Sequence, residues 1–385
     1  MSRFGKVLAA MALSVAAPAV TSAQDDGQGF LFNTGLGRPV PALDGRAAGL
    51  GGAAIALIGA NLSAVNPASL AGLQTMGVWG SIMPERGTVS GEGVHGDVQS
   101  VIFPLGRLAI SATRRLTVSV SFGAFLDQNG GVQFVDTLEL STGKVPFRET
   151  RQSDGGISKF SLEVASLFGG GLSLGVAAQF YRGETRLIAE RAFDEEANFL
   201  PARTVAAIDY SGFGFAVGAG FQPIPEMMLG ITGSWGSKLA LRNDSSEVEG
   251  EVDLPLTFGL GGSWQLTPDF LVALDFEWAG WSVANDDVAS GAEDTWGLGG
   301  GIELRPFGTT PVFVRAGAHL DRFPFKIGGT APSERAIDFG MGAFMGGGRA
   351  RIDWALEFGK RGDAATHGVE ESFTRLTVSL AVFGN

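Results

Sequence analysis

The sequence predicts an all-β fold: a transmembrane antiparallel β-barrel of about 14 strands with an N-terminal plug that contains short helices. Three observations predict it. The chain opens on an export signal, it holds no apolar run long enough for a membrane-spanning helix, and from about Thr75 onward apolar residues alternate with small, polar or charged ones at a period of two.

Residues 1–23 read as the signal peptide. Arg3 and Lys6 supply the positive start, Val7 to Val20 the short apolar region, and Thr21-Ser22-Ala23 the small-residue cleavage site. The plug, or hatch, then covers 24–73 and the barrel 74–385. The chain has 385 residues, 59 of them Gly, no Cys, three His and a formal charge of −12. The absence of Cys removes disulfides, thiol nucleophiles and cysteine metal sites. His95, His319 and His367 are too far apart in sequence to put two ligands on one helix face, so no metal and no cofactor is expected. The acidic balance excludes nucleic acid, which is held by clustered Lys and Arg.

The clearest alternation runs through Leu116, Val118, Val120 and Phe122; Leu172, Leu174, Val176 and Phe180; Val272, Leu274 and Phe276; and Leu376, Val378, Leu380 and Val382. Strands are expected near 74–83, 97–111, 115–127, 156–167, 171–183, 204–222, 227–238, 251–265, 269–282, 294–306, 311–321, 335–346, 349–361 and 370–384. Tight connections alternate with long polar ones, as short periplasmic turns alternate with extracellular loops in outer-membrane barrels. Pro104 and Pro255 fall inside the second and eighth strands, where the missing N–H calls for a bulge.

Ahead of the strands lies a run rich in small residues, from Gly45 to Gly72. Leu50, Ala54, Leu57 and Ile58 share one face at helical spacing, and Gly59 stops that pattern. A second start follows: Asn66 can cap, Pro67 suits the first helical position, and Gly72 can close the turn. Gly49-Leu50-Gly51 with Ala54 also fits a dinucleotide-binding fingerprint, but no buried strand precedes it and no βαβ unit surrounds it.

The glycine- and alanine-rich run leading into Asn66-Pro67-Ala68 resembles the hatch of the FadL-type outer-membrane transporters of long-chain fatty acids and other hydrophobic compounds. The motif residues are Gly45, Gly49, Gly51, Gly52, Asn66, Pro67 and Ala68. The resemblance implies a non-enzymatic protein of the outer membrane, in contact with lipopolysaccharide, whose partner is a hydrophobic small molecule or lipid. It implies capture among extracellular loops and sideways exit at a kinked third strand, for which Gly123, and Pro104 in the neighbouring strand, are the candidates. PorV-like barrels share the hatch and receive proteins for secretion, so a non-transporting interaction barrel is the alternative.

With the greasy parity facing lipid, Glu163, Asp275, Glu277, Glu303, Arg305, Arg315, His319, Asp338, Asp353, Glu357 and Arg375 face the lumen. Cross-paired charges are the ordinary content of such a lumen. Arg305, Arg315 and Arg375 are the candidates for holding a ligand carboxylate bidentately. His319 shares the inward parity, without an identifiable serine partner for a nucleophilic pair. Inward glycines are dense at 212, 214, 218 and 220 and at 297, 299 and 301, leaving room for a plug or a path.

Overall fold

The computed structural model describes residues 36–384 except 72, 92–93, 141–142, 194–198, 244–247, 289–290, 307, 309–310 and 328. The expected signal peptide, residues 24–35 and Gly72 lie outside the described residues. In chain order the strands are β1 (Arg38–Pro39), β2 (Gly77–Gly91), β3 (Val94–Ser111), β4 (Leu116–Asp127), β5 (Gly130–Leu140) and β6 (Gly143–Leu167). Next come β7 (Leu172–Phe193), β8 (Ala202–Ile224), β9 (Met227–Gly236), β10 (Leu239–Asn243), β11 (Val248–Val252) and β12 (Thr257–Thr267). The wall finishes with β13 (Phe270–Ala279), β14 (Thr295–Leu304), β15 (Val312–Arg322), β16 (Ser333–Met345), β17 (Ala350–Asp363) and β18 (Val369–Phe383).

These make a closed antiparallel barrel of 14 staves, with β18 pairing β2 to shut the ring. Closure gives the backbone polar groups of the staves ladder partners over most of the wall, which is what lets strands cross hydrocarbon. β5 prolongs the stave of β4, β10 prolongs β9, and β11 precedes β12 on one stave, each joined across a break. Pro255 sits in the break between β11 and β12, where no ladder hydrogen bond is asked of it. Pro104 lies at a register shift: Met83 pairs Ile102 but Ser81 pairs Leu105, so the ladder bulges around it.

The expected parity holds. Leu274 is 58% exposed and its neighbour Asp275 only 6%. A one-residue slip would move Asp275 into lipid, at an unfavourable cost that is smaller for a carboxylate than the roughly 2–4 kcal/mol of an Arg or Lys at the midplane. The expected boundaries fail mainly at the long-loop end, where residues 84–91, 94–96, 130–140, 143–155, 184–193, 202–203, 239–243 and 248–250 are strand, not loop. Beyond the apolar band neither face needs to be greasy, so the hydropathy alternation that marks a strand disappears there.

Inside the wall lies the segment Leu36–Ala71, and its helices differ from expectation. The α-helix is α1, Gly45–Ala48, capped by Asp44, whose carboxylate accepts from Ala47 N at 2.8 Å. No helix covers 50–58. Gly51 and Gly52 take positive φ, +69° and +81°, and turn the chain there, so helical spacing of four apolar residues was outweighed by glycine. The second start is as expected at its beginning: Asn66 caps a 3-10 turn, Pro67–Leu70, with Pro67 first in it and Asn66 Oδ1 accepting from Ala68 N at 2.9 Å.

Candidate functional site

The inner segment is seated on bare backbone. A Cβ added at Gly299 or Gly317 would overlap the backbone of Gly51, and one at Gly301 would meet Leu50 Cα at 2.9 Å. Gly340 lies against Gly49, Gly230 and Gly259 against Ile55, Gly175 against Pro67 and Gly218 against the Asn66 side chain. Of the inward glycines singled out in the sequence, 218, 299 and 301 are such seats. Gly212, Gly214, Gly220 and Gly297 instead face wall side chains or wall backbone.

Wall side chains then satisfy the segment's backbone. Asp275 Oδ2 accepts from both Ala54 N and Ile55 N at 2.6 Å, and Ser263 Oγ accepts from Ile58 N at 3.0 Å. Ser379 Oγ accepts from Gly45 N at 3.0 Å, Trp79 Nε1 donates to Leu62 O at 2.7 Å, and Arg107 Nη1 donates to Ser63 O at 2.9 Å. Arg46 returns the contact, gripping Glu303 with two bonds of 2.9 and 2.8 Å. Irregular backbone at membrane depth is tolerated only where protein supplies such partners. Within the segment, Asn66 Nδ2 donates to Ile55 O at 3.0 Å and reaches Ala219 O of the wall at 3.3 Å. The Asn-Pro-Ala motif therefore ties the two halves of the segment together as well as capping its own turn.

The wall is incomplete on one side. β3 pairs β4 only from Gly106 opposite Phe122 to Ser111 opposite Thr117, although β3 runs up to Val94 and β4 to Asp127. Above that point β3 keeps its bonds to β2, and β4 keeps its bonds to β6, so among the described residues a slot separates the two. It opens at the residues expected to kink the wall: a Cβ at Gly123 would run into the carbonyl of Pro104. Val101 and Phe103, 53% and 61% exposed on the outer face of β3, place the lower part of the slot at the height of the apolar band.

The inner segment covers the slot from within. Arg38 and Pro39 pair Asp127 and Leu126 of β4, and Val40 packs among Met83, Ile102 and Ala124, bridging β2, β3 and β4. Arg38 reaches Glu85 on β2 at 3.2 Å and Asp127 on β4 at 3.3 Å, a tie across the opening. Behind Val40 lies a cavity of about 320 Å³ between segment and wall, bordered by Met83, Phe125, Tyr181, Trp281, Lys159 and Glu277. Its volume is that of a small ligand pocket, and its lining mixes aromatic surface with a few polar groups. Lys159 Nζ stands 5.6 Å from the centre of the Phe125 ring, and no hydrogen bond or ion pair joins it to another described residue.

The arginines named from sequence are placed otherwise. Arg305 follows β14 at the short-turn rim, not in the lumen, and pairs there with Asp269 at 2.7 Å. Arg315 is buried between Glu303 and Asp353, at 2.7 and 2.9 Å. Arg375 borders the cavity, but its three nitrogens meet Glu85, Glu334 and Glu357 at 2.7–3.1 Å. A ligand carboxylate at Arg375 has to displace a protein carboxylate, and Arg315, buried between two carboxylates, does not border the cavity. Lys159 requires no such exchange, and the same alternation that placed Glu163 in the lumen places Lys159 there too.

Arg361, also missed although it shares parity with Asp353 and Glu357, is the centre of the lumen network. It is buried and donates to Glu334 at 2.5 Å and to Glu85 and Glu371 at 2.6 Å, with its guanidinium 3.9 Å from the centre of the Phe373 ring. Removing one partner of a buried charged network strands the others, at about 3–5 kcal/mol. Arg361→Gln is therefore expected to lower the urea midpoint of the detergent-folded barrel strongly. Asp269→Asn, which breaks an exposed pair worth about 0–1 kcal/mol, should barely move it. Equal shifts for the two would refute the ranking.

A family model described as BamG matches residues 231–384, the second part of the barrel. No curated protein matches the chain by sequence. Among solved structures, a Pseudomonas aeruginosa FadL homologue superposes with a TM-score of 0.65 over 90% of this chain and 99% of its own, at 13% identity. The chain shares the fold of the FadL-type barrels. The Ralstonia pickettii toluene transporter TbuX matches with a TM-score of 0.58 at 15% identity, over 90% of this chain and 99% of that one. The Pseudomonas putida toluene transporter TodX gives 0.58 at 14% over the same shares. The FadL-type likeness thus spans nearly the whole of each chain, whereas the BamG match takes in only the staves from β9 onward.

Proposed function

We propose that this protein is an outer-membrane transport protein that admits hydrophobic small molecules, long-chain fatty acids among them, and releases them sideways through the slot between β3 and β4. The observation that carries the reading is the cavity behind Val40, closed toward lipid by a short strand pairing rather than by the barrel ladder. A greasy solute gains from passing between apolar surfaces without crossing water, at roughly 25 cal/mol per Å² kept dry. In this reading residues 24–73 act as the hatch, the signal peptide directs export, and the outer rim meets lipopolysaccharide. The FadL homologue and the two toluene transporters support it by fold.

Lys159 is the head-group residue in this proposal, ahead of Arg375 at the same cavity. A hydrogen bond to a charged group is worth about 1.5–3 kcal/mol, or roughly ten- to a hundredfold in affinity. Lys159→Met should therefore weaken binding of a long-chain fatty acid by about that factor while leaving toluene binding unchanged, measured by competition with a fluorescent fatty acid in detergent. Native mass spectrometry of the purified barrel is expected to show a bound apolar ligand. A lumen without ligand, together with a stoichiometric protein partner, would support the PorV-like interaction reading instead.

A further inference from the structure

We propose that His319, Asp338 and Glu357 bind a divalent transition-metal cation in the lumen, zinc fitting the donor set best. The three stand on the consecutive strands β15, β16 and β17, and each offers a ligand atom within 4.8 Å of the other two. Asp338 and Glu357 are direct cross-strand partners on the inner face, while Gly317 opposite Asp338 sets His319 one inward position further along. Like charges directly opposite destabilise a sheet, and because Glu357 already accepts from Arg375 at 2.8 Å and Thr377 at 3.2 Å, the uncompensated member of this pair is Asp338.

Asp338 carries the argument. It is 0% exposed, its one side-chain hydrogen bond among the described residues is the 3.2 Å contact of Oδ2 with His319 Nδ1, and its Oδ1 has no partner there. Burial of a carboxylate oxygen without a donor is costly. No guanidinium reaches Asp338 among the described residues, because Arg361 and Arg375 are taken up by Glu85, Glu334, Glu357 and Glu371. The other face of His319 is also a carboxylate: Nε2 lies 3.1 Å from Glu334 Oε1. With Nε2–H donating to Glu334, the Nδ1 lone pair points at an anionic oxygen, and that contact needs a cation at Nδ1.

A metal answers that need, with Glu334 in the role of the outer carboxylate that fixes the ring of a ligating histidine. Zinc bonds nitrogen and oxygen at about 2.0–2.2 Å, so neighbouring tetrahedral ligands stand about 3.3 Å apart. The Nδ1 to Oδ2 separation of 3.2 Å matches. His319, Glu334 and Glu357 border the cavity, which gives an ion a route in. The sequence expectation of no metal site rested on helix spacing; strand pairing assembles the ligands across residues 319, 338 and 357 instead. A proton held at Nδ1, making His319 an imidazolium between two carboxylates, is the competing occupant.

Tag-free protein folded in detergent, stripped with EDTA and dialysed against zinc, is expected to retain about one zinc per chain and to give a visible Co²⁺ spectrum when cobalt replaces it. His319→Gln and Asp338→Asn should each weaken zinc binding roughly ten- to a hundredfold or more. His367→Ala should leave it unchanged. The heat-modified gel band reports whether each variant is folded, and the wild-type result stands without them. Wild-type protein that takes up neither zinc nor cobalt overturns the proposal, as does zinc retained at wild-type affinity by a folded His319→Gln variant.

Discussion

A disulfide between residues 39 and 126, from Pro39→Cys with Leu126→Cys, is expected to bring delivery of a hydrophobic solute down to background, and reduction is expected to restore it. Those two residues are opposite one another in the pairing of β1 with β4. Antiparallel partners stand about 4.5–5.5 Å apart at Cα, inside the range a disulfide spans without moving the backbone. The bond fixes the short strand that holds Val40 against Met83, Ile102 and Ala124, so the slot cannot open. The chain contains no native Cys, so nothing else can cross-link. Either single cysteine variant should transport normally under oxidising conditions. Delivery that persists in the oxidised double variant would mean that solute leaves by another route, and the sideways exit would be lost with it.

The fold was legible because a lipid bilayer imposes one rule on every stave. Wherever a strand touches hydrocarbon its outer residues must be greasy and its inner ones need not be, and Leu274 beside Asp275 shows the contrast in two adjacent letters. The prolines marked real irregularities for the same reason: Pro104 and Pro255 lack an N–H, and the ladder bulges at one and breaks at the other. The candidate site was legible only in part. Asn66-Pro67 announced its turn through local chemistry, which sequence records. The arginine partners did not, because whether Arg375 is free or held depends on Glu85 and Glu334, which lie hundreds and tens of residues away and meet it only after ring closure. His319 looked partnerless along the chain for that reason, while strand register sets it beside Asp338 and Glu334.

Filling the seat of the inner segment should open the barrel without dismantling it. Gly299 of β14 and Gly317 of β15 both lie directly under Gly51. In Gly299→Val with Gly317→Val the new side chains meet backbone on the segment, which cannot rotate away as a side chain could, and overpacking of this kind costs roughly 1–3 kcal/mol at each position. The strands themselves accept valine readily, since β-branched residues suit a pleated wall. Ring closure from β2 to β18 is carried by ladder hydrogen bonds that do not involve the segment. The expected result is a heat-modifiable barrel of normal appearance, new protease cleavage within residues 43–66, and a conductance in planar bilayers well above that of the wild type. Gly262→Val, whose side chain points toward lipid beside Leu229, should change none of these. If the double variant keeps wild-type conductance and protease resistance, the bare glycines are not what seats the segment. If its folded band disappears, the segment is needed to assemble the wall, and its role as a separable hatch is wrong.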